Sequence, residues 1–170
     1  MDGLLIDSED KYTICTNAIL AKYGRPSLPW SIKAQLQGRP GPAAGAIFSK
    51  WAQLPISREQ YILETSALQA QHFPTVAPLP GTQTLLETLE TSKVHLALAT
   101  SSHEANFKLK TGHLEEFFKP FSQGRRVLGD DVRIGQGRGK PAPDIYLLAL
   151  ETVNGSLGEG EKEIRPEECL

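Results

Sequence analysis

The chain has 170 residues, of which 39% are hydrophobic and 22% charged, a composition typical of a globular rather than a disordered protein. Its 18 basic and 20 acidic residues give a formal net charge of -2, which offers no field for binding a nucleic acid polymer or an anionic membrane surface. No apolar stretch approaches the ~20 residues that a membrane span needs. Cys15 and Cys169 are too far apart to define a disulfide framework, and we expect a cytoplasmic protein.

Residues 1–7 are predicted to be the end of a strand and its turn, and helical patterns follow. Ser8 is a suitable N-cap for a helix that runs to about Tyr23, and Gly24 suits the residue after a helix end. Further helices are predicted at about residues 31–37, 43–53 and 57–72. Residues 11–78 contain no good strand pattern, so we expect an all-helical unit. Its predicted core includes Ile14, Ile19, Trp51, Ile62 and Leu68.

The pattern changes at the sequence PLPG, residues 78–81, after which helices and apolar strands alternate. Val94–Ala99 is a continuous apolar run typical of a buried parallel strand, and a shorter strand is predicted at residues 126–128. Helices are predicted at residues 82–91, 103–111 and 141–153. This alternation favours a parallel α/β sheet, and the glycine- and glutamate-rich tail is predicted to be a loop.

A lone lysine, Lys140, follows the glycine-rich sequence GQGRG. Pro141 suits the first position of a helix, where a missing N–H is harmless, so the sequence predicts an ammonium at a helix N-terminus, a place that favours anions. The loop is not a P-loop, because Pro141 stands where serine or threonine should follow the lysine, and it does not complete a dinucleotide fingerprint. The alternative is a solvated lysine in a flexible loop.

Three segments together resemble the haloacid dehalogenase-like (HAD) phosphohydrolases. MDGLLIDSE at the start, HLALATSS at residues 95–102 and GKPAPDIYLLA from Gly139 match motifs I, II and III of that family in the usual order. With VLGDD at residues 127–131, they are closest to the eukaryotic pseudouridine-5'-phosphatase group. The resemblance implies an α/β fold: a Rossmann-like parallel sheet core, residues 1–10 and 79–170, with an inserted all-helical cap, residues 11–78.

The chain departs from the family pattern at both ends. Motif I of the family reads Asp-x-Asp-Gly at the end of a hydrophobic strand, and Met1 stands at the x position, so the resemblance places the nucleophilic aspartate before residue 1. The chain also stops at Leu170, before the strand that carries motif IV. We therefore expect an incomplete core and an inactive isolated chain, and a shortened gene model or fragment explains this better than a redesigned enzyme.

The resemblance assigns roles to residues at the carboxyl ends of the predicted strands, where ligands bind in open parallel sheets. Asp2 is implied to be the general acid and base, which protonates a leaving alkoxide and then activates water against a phosphoaspartate. The Thr100 hydroxyl and the Ser101 N–H are implied to bind the phosphate, and Lys140 to neutralise phosphate and nucleophile. The alternatives are that Asp2 only begins a turn with Gly3 and that Thr100 only caps a helix.

The resemblance also implies Mg²⁺ as cofactor, and the backbone carbonyl of Asp2 is the metal ligand that this sequence retains. Asp130 and Asp131 could be mistaken for metal ligands, but we expect them to end a strand motif. Arg39 matches a region of the cap that faces substrate, where a guanidinium could bind a phosphate or a base carbonyl; the alternative is a solvated surface arginine. Mutase relatives carry a histidine where this chain has Tyr12, which favours hydrolysis over isomerisation.

These expectations lead to a Mg²⁺-dependent phosphomonoester hydrolase lineage that acts through a phosphoaspartate. Its partner would be a small phosphorylated metabolite, and pseudouridine 5'-phosphate is the best substrate hypothesis. Two alternatives stay open. One is a sugar-phosphate phosphatase of the same superfamily, because cap residues set substrate choice. The other is a catalytically dead phosphate-binding or interaction protein, which the missing nucleophile favours for this chain.

Overall fold

The computed structural model describes residues 1–39 and 41–170. Four helices occupy the first half of the chain. They are α1, Glu9–Lys22; α2, Trp30–Leu36; α3, Gly41–Ala52; and α4, Arg58–His72, which runs into a 3-10 turn at Phe73–Thr75. Each helix predicted for this half is present, with ends that differ by one or two residues from the prediction.

Local signals in the sequence end and begin these helices. Gly24 adopts a φ of 66°, a left-handed conformation that residues with a Cβ rarely adopt, and the next N–H, of Arg25, donates to the Leu20 carbonyl at 2.8 Å. Before α4, the Ser57 hydroxyl accepts a hydrogen bond from the Gln60 N–H at 3.1 Å. Both contacts satisfy backbone groups that a helix end leaves unpaired.

Residues 11–78, which we call the helical segment, contain a small core of their own. Leu20, Phe48 and Ala52 are buried there, and the rings of Phe48 and Tyr61 lie 4.9 Å apart. Further side chains packed against this core are Leu28, Leu36, Trp51 and Leu54. The all-helical expectation agrees with the observed elements, whereas the division into two domains stays a prediction.

The prediction that Ile14 and Ile62 belong to this core is wrong, because these residues are 46% and 51% exposed. Ile19 is buried, and Trp51 and Leu68 are half-buried. In α1 the inward face carries Cys15 and Ile19. Successive residues of a helix are turned by about 100°, so Ile14 points away from that face although it is adjacent in sequence to Cys15.

The second half of the chain contains the predicted helices and strands and one short helix, α7, that was not predicted. Its elements are α5, Thr82–Thr91; β1, Leu98–Ala99; α6, Glu104–Thr111; α7, Glu115–Phe118; β2, Arg126–Val127; and α8, Asp144–Asn154. β1 and β2 are parallel, with Leu98 paired to Arg126 and Ala99 to Val127. Within residues 1–39 and 41–170, no helix is long and apolar enough to cross a membrane.

Two predicted element bounds in this half are wrong. The strand expected at Val94–Ala99 is formed only at Leu98–Ala99, because β2 is two residues long and, among the described residues, β1 is paired with β2 alone. Without ladder partners, Val94 is 48% exposed. The helix expected to begin at Pro141 begins at Asp144, with Pro143 as its N-cap.

The start of the chain is buried in this α/β half. Met1, Leu5 and Ile6 pack into a core with apolar side chains from three of its helices. Ile6 also forms an isolated bridge with Pro78, at the end of the helical segment. The two places where the chain passes between the helical segment and the rest of the molecule are therefore adjacent, and both lie close to Asp2.

Candidate active site

Asp2 is held at the centre of a polar cluster. The turn that presents it is closed by the Met1 carbonyl, which accepts from the Leu5 N–H at 2.8 Å, and by Gly3, whose φ of 64° favours glycine. Its carboxylate is 19% exposed. Oδ1 accepts from the Ser8 hydroxyl at 2.6 Å, so Ser8 uses its hydroxyl on Asp2 and makes no side-chain hydrogen bond to the start of α1.

Thr100 is brought to Asp2 by β1. Thr100 is 2% exposed, and its N–H continues the pairing of the two strands by donating to the Val127 carbonyl at 3.0 Å. Its hydroxyl lies 3.4 Å from Oδ2 of Asp2 and accepts from the Ser102 N–H at 3.2 Å. The two motif residues are thus side by side, although 98 positions separate them along the chain.

Ser101 points toward the helical segment. Its hydroxyl lies 3.4 Å from the Gly38 carbonyl, in the loop after α2. The backbone of Gly129 also passes so close that a Cβ there would sit 2.2 Å from the Ser101 carbonyl oxygen. The loop after β1 is therefore in contact with both Gly38 and Gly129.

Lys140 reaches the same end of β1. Its ammonium donates to the Ala99 carbonyl at 3.2 Å and lies 4.9 Å from the ring centre of Tyr146. Because α8 begins only at Asp144, the amine is not at the first turn of that helix, and the predicted reason for its position is wrong. A cation beside the residue that precedes Thr100 nevertheless suits an anion bound at this strand end.

Arg39 is not brought to Asp2 by any described contact. Its side chain is exposed, and its Nε donates back to the Gln35 carbonyl at 2.8 Å, at the end of α2. The neighbouring Gly38 is the residue that contacts Ser101. Arg39 therefore lies on the helical-segment side of the site, with its side chain turned back toward the end of α2.

Lys110, on α6, is the site residue that the sequence reasoning missed. It is completely buried, and its ammonium lies 2.5 Å from Oδ1 of Asp2 and 2.6 Å from the Ser102 hydroxyl. Phe107 and Thr111 are buried on the same face of the helix as Lys110, but this burial is seen only in the structure, and no local pattern in the sequence marks the lysine. A charged residue at an apolar position of a helix is rare unless it is paired.

The charges around Asp2 decide its ionisation. Burial alone would raise the pKa of Asp2, but the Lys110 charge and the hydrogen bonds from Lys110 and Ser8 outweigh it, so the pKa lies below its usual value. Burial raises the pKa of the nearby Tyr12 phenol, and the Asp2 charge adds to this effect while Lys110 opposes it. The resting site therefore contains a carboxylate and a neutral phenol around one ammonium.

The two aspartates after β2, Asp130 and Asp131, have partners in the protein. In residues 1–39 and 41–170 no three histidine, cysteine or carboxylate side chains are grouped as metal ligands. The Asp130 carboxylate accepts from the Glu104 N–H at 3.0 Å and so caps α6, and Asp131 pairs with Arg133 at 2.6 Å. That Asp130 and Asp131 end a strand motif and do not bind metal stays a prediction, as does the role of the Asp2 carbonyl as a metal ligand.

Comparison with known proteins places these features in a family. The sequence model of the haloacid dehalogenase-like hydrolase family matches residues 1–159. A probable pseudouridine-5'-phosphatase of Saccharomyces cerevisiae is 44% identical over 170 residues, which are 100% of this chain and 70% of the yeast protein. The (DL)-glycerol-3-phosphatase 2 of Arabidopsis thaliana is 34% identical over 95% of this chain and 66% of its own length.

A solved structure shares the fold. CbbY from Rhodobacter sphaeroides, in complex with phosphate, superposes with a TM-score of 0.68 over 90% of this chain and 69% of its own. At 21% identity it supports the fold alone. The predicted HAD-like α/β fold with an inserted helical part is thereby confirmed, as is the resemblance on which that prediction rested.

Proposed function

Because the chain belongs to the haloacid dehalogenase-like hydrolases, we propose that its site serves the hydrolysis of a phosphate monoester of a small metabolite. The observation that carries the proposal is the meeting of Asp2 and Thr100 at the end of β1, with Lys140 on the adjacent carbonyl. A carboxylate for proton transfer, a hydroxyl and a cation for the phosphate are the groups that phosphoryl transfer uses.

In this proposal an aspartate two residues before Asp2, as the family motif implies, attacks phosphorus and forms a phosphoaspartate. Asp2 protonates the leaving alkoxide and then activates the water that hydrolyses this intermediate. Thr100 and the Ser101 N–H bind the phosphoryl oxygens, and Lys140 offsets their charge. Mg²⁺ would neutralise phosphate charge when bound, and the Asp2 backbone carbonyl is the ligand that the resemblance assigns to it, so its part in the proposal rests on the family resemblance.

The substrate is the finer part of the proposal. Pseudouridine 5'-phosphate comes first, because the yeast relative, named a probable pseudouridine-5'-phosphatase, matches the whole of this chain. A sugar or polyol phosphate is second, since the Arabidopsis relative is named a glycerol-3-phosphatase. The segment around Gly38 and Arg39 faces the Ser101 loop, so we expect it to contribute to this choice. We further propose cytoplasmic residence and no nucleic acid or membrane partner, from the composition.

The test uses a hybrid protein, in which this chain replaces the matching segment of the Saccharomyces cerevisiae relative. Phosphate release is measured with Mg²⁺ from pseudouridine 5'-phosphate, glycerol 3-phosphate and hexose phosphates. We expect turnover by the hybrid and a loss of about 100-fold or more in Asp2→Asn, the size typical for an acid–base residue. A hybrid without activity on any phosphate monoester favours the catalytically dead alternative, and activity that survives Asp2→Asn removes Asp2 from the mechanism.

A further inference from the structure

Lys110 lies where three parts of the molecule meet. From α6 its ammonium reaches Asp2, and it also lies 3.3 Å from the Tyr12 hydroxyl on α1. The rings of Tyr12 and Phe73 are 5.2 and 5.5 Å from it, and those two rings pack edge to face with centres 4.9 Å apart. Tyr12 and Phe73 stand at the start and near the end of the helical segment. One buried ammonium therefore contacts both ends of that segment as well as Asp2.

The ammonium is fully used by these contacts. A lysine has three N–H donors, and three oxygens surround this one: Oδ1 of Asp2 at 2.5 Å, the Ser102 hydroxyl at 2.6 Å and the Tyr12 hydroxyl at 3.3 Å. With no exposed surface, Lys110 does not reach a bound substrate. It therefore differs from Lys140, which is half-buried at the strand end.

Stability alone is a poor reason for a buried lysine at this place. Removing an ammonium from water is costly, and replacing a buried ion pair by apolar groups of similar volume is often neutral or stabilising. The Tyr12 and Phe73 rings already supply apolar surface beside this side chain. A function for the charge is therefore to be sought at its partner, the Asp2 carboxylate.

The two oxygens of that carboxylate have different surroundings. Oδ1 accepts from both Lys110 and Ser8, whereas the nearest hydrogen-bonding group to Oδ2 is the Thr100 hydroxyl at 3.4 Å. Oδ2 is thus the oxygen turned toward the loop that would bind phosphate. Fixing Oδ1 with two short contacts fixes the direction in which Oδ2 points.

We propose that Lys110 is a positioning residue, which anchors Oδ1 of Asp2 so that Oδ2 exchanges the proton with the leaving group and then with water. This rests on the proposed function. A substrate bound as its phosphate monoanion brings one proton, which Oδ2 takes from the phosphate. As the ester P–O bond breaks and the phosphoaspartate P–O bond forms, Oδ2 passes this proton to the leaving oxygen. In hydrolysis the water oxygen bonds to phosphorus, its proton goes to Oδ2, and the aspartyl carboxylate is released.

Leaving-group dependence tests the proposal. An alkoxide needs a proton to depart, whereas p-nitrophenolate departs without one, so an error in positioning the acid lowers kcat/KM for an alkyl phosphate much more than for p-nitrophenyl phosphate. In the hybrid protein we expect Lys110→Met to change the ratio of the two kcat/KM values by about 10-fold or more. General damage to the fold or to phosphate binding lowers both values together and leaves their ratio unchanged.

Control variants distinguish an error in positioning Asp2 from general damage to the protein. Lys108→Met removes an exposed lysine of the same helix, which pairs with Glu104, and should leave the ratio unchanged. Asp2→Asn should change the ratio in the same direction as Lys110→Met. If Lys110→Met does not fold, Lys110→Gln, which keeps a donor but no charge, is judged by the same ratio at a threshold of about 3-fold.

An equal loss on both substrates in Lys110→Met, beside a selective loss in Asp2→Asn, overturns the positioning role and leaves the proposed function intact. An equal loss on both substrates in Asp2→Asn instead overturns the acid–base role of Asp2, and the positioning role with it. A hybrid that hydrolyses neither substrate overturns the proposed function itself.

Discussion

The Ser101 hydroxyl lies 3.4 Å from the Gly38 carbonyl, so the loop that follows β1 touches the loop that follows α2. This contact joins the proposed phosphate-binding loop to the helical segment, which is the part expected to select the substrate. The backbone of Gly129 also lies close to this loop. Small changes in the backbone at either glycine should therefore displace the loop that is proposed to bind phosphate.

Gly129→Ala should be strongly destabilising. Its new Cβ would lie 2.2 Å from the Ser101 carbonyl oxygen, which is backbone and cannot turn aside. We expect a loss of about 2 kcal/mol or more in the free energy of unfolding of the hybrid, measured with urea. Gly124→Ala is the matched control, because a Cβ there meets nothing within 4 Å, and its effect should stay within about 0.5 kcal/mol. Equal stability of the two variants would contradict the close approach.

The 170-residue chain by itself should have negligible phosphatase activity. The family motif places the nucleophile two residues before Asp2, where this chain has no carboxylate, and a phosphoaspartate cannot form without one. Hydrolysis of p-nitrophenyl phosphate with Mg²⁺ measures this directly, with the hybrid protein as the positive control. Robust turnover of the isolated chain that Asp2→Asn abolishes would show the prediction to be wrong.

Glu64 should make the helical segment sensitive to acid. Hydrogen bonds from Lys22, Tyr23 and Gln60 lower the pKa of Glu64 from 4.5 to about 2. A lowered pKa stabilises the folded state above the unfolded value of 4.5, and this contribution is lost as the pH falls toward 2.

Urea midpoints of the hybrid test the effect of Glu64. At pH 7 the urea midpoint of the unsubstituted protein should be higher than that of Glu64→Gln. The difference between the two midpoints should shrink as the pH falls below 4.5. Glu163→Gln, in the exposed tail, serves as the control and should match the unsubstituted protein throughout. A difference for Glu64→Gln that is the same at pH 7 and pH 3 would refute the assignment.

The isolated chain should also unfold without a sharp transition. Among the described residues β1 is hydrogen-bonded to β2 alone, and each strand has two residues, so the sheet offers little cooperative pairing and β1 has one unpaired edge. We expect insoluble or molten protein with a partly folded helical segment, and a single cooperative transition in the hybrid. A soluble monomer of the isolated chain with one sharp thermal transition would contradict this.

Much of the local structure was predictable from the sequence, because its causes lie within a few residues. The Ser57 cap, the Gly24 helix end and the bounds of α5 follow from side chains and backbone freedom at those positions. The motif pattern likewise singled out Thr100 and Lys140, and both lie at the end of β1, although Lys140 was expected there as part of a helix N-terminus. Element ends that depend on a partner were predicted less well, and β1 is short because a parallel strand forms only where another strand meets it.

Only the tertiary structure decided which side chains surround Asp2. Lys110 contacts that carboxylate although 108 positions of sequence separate the two residues. The contact exists because α6 packs against the start of the chain and against both ends of the helical segment. The sequence by itself determined the family, the order of the elements and the residues of the motifs, since these are read from local patterns. Contacts between distant residues depend instead on how whole elements pack, and for that reason the buried ammonium became visible only in the folded molecule.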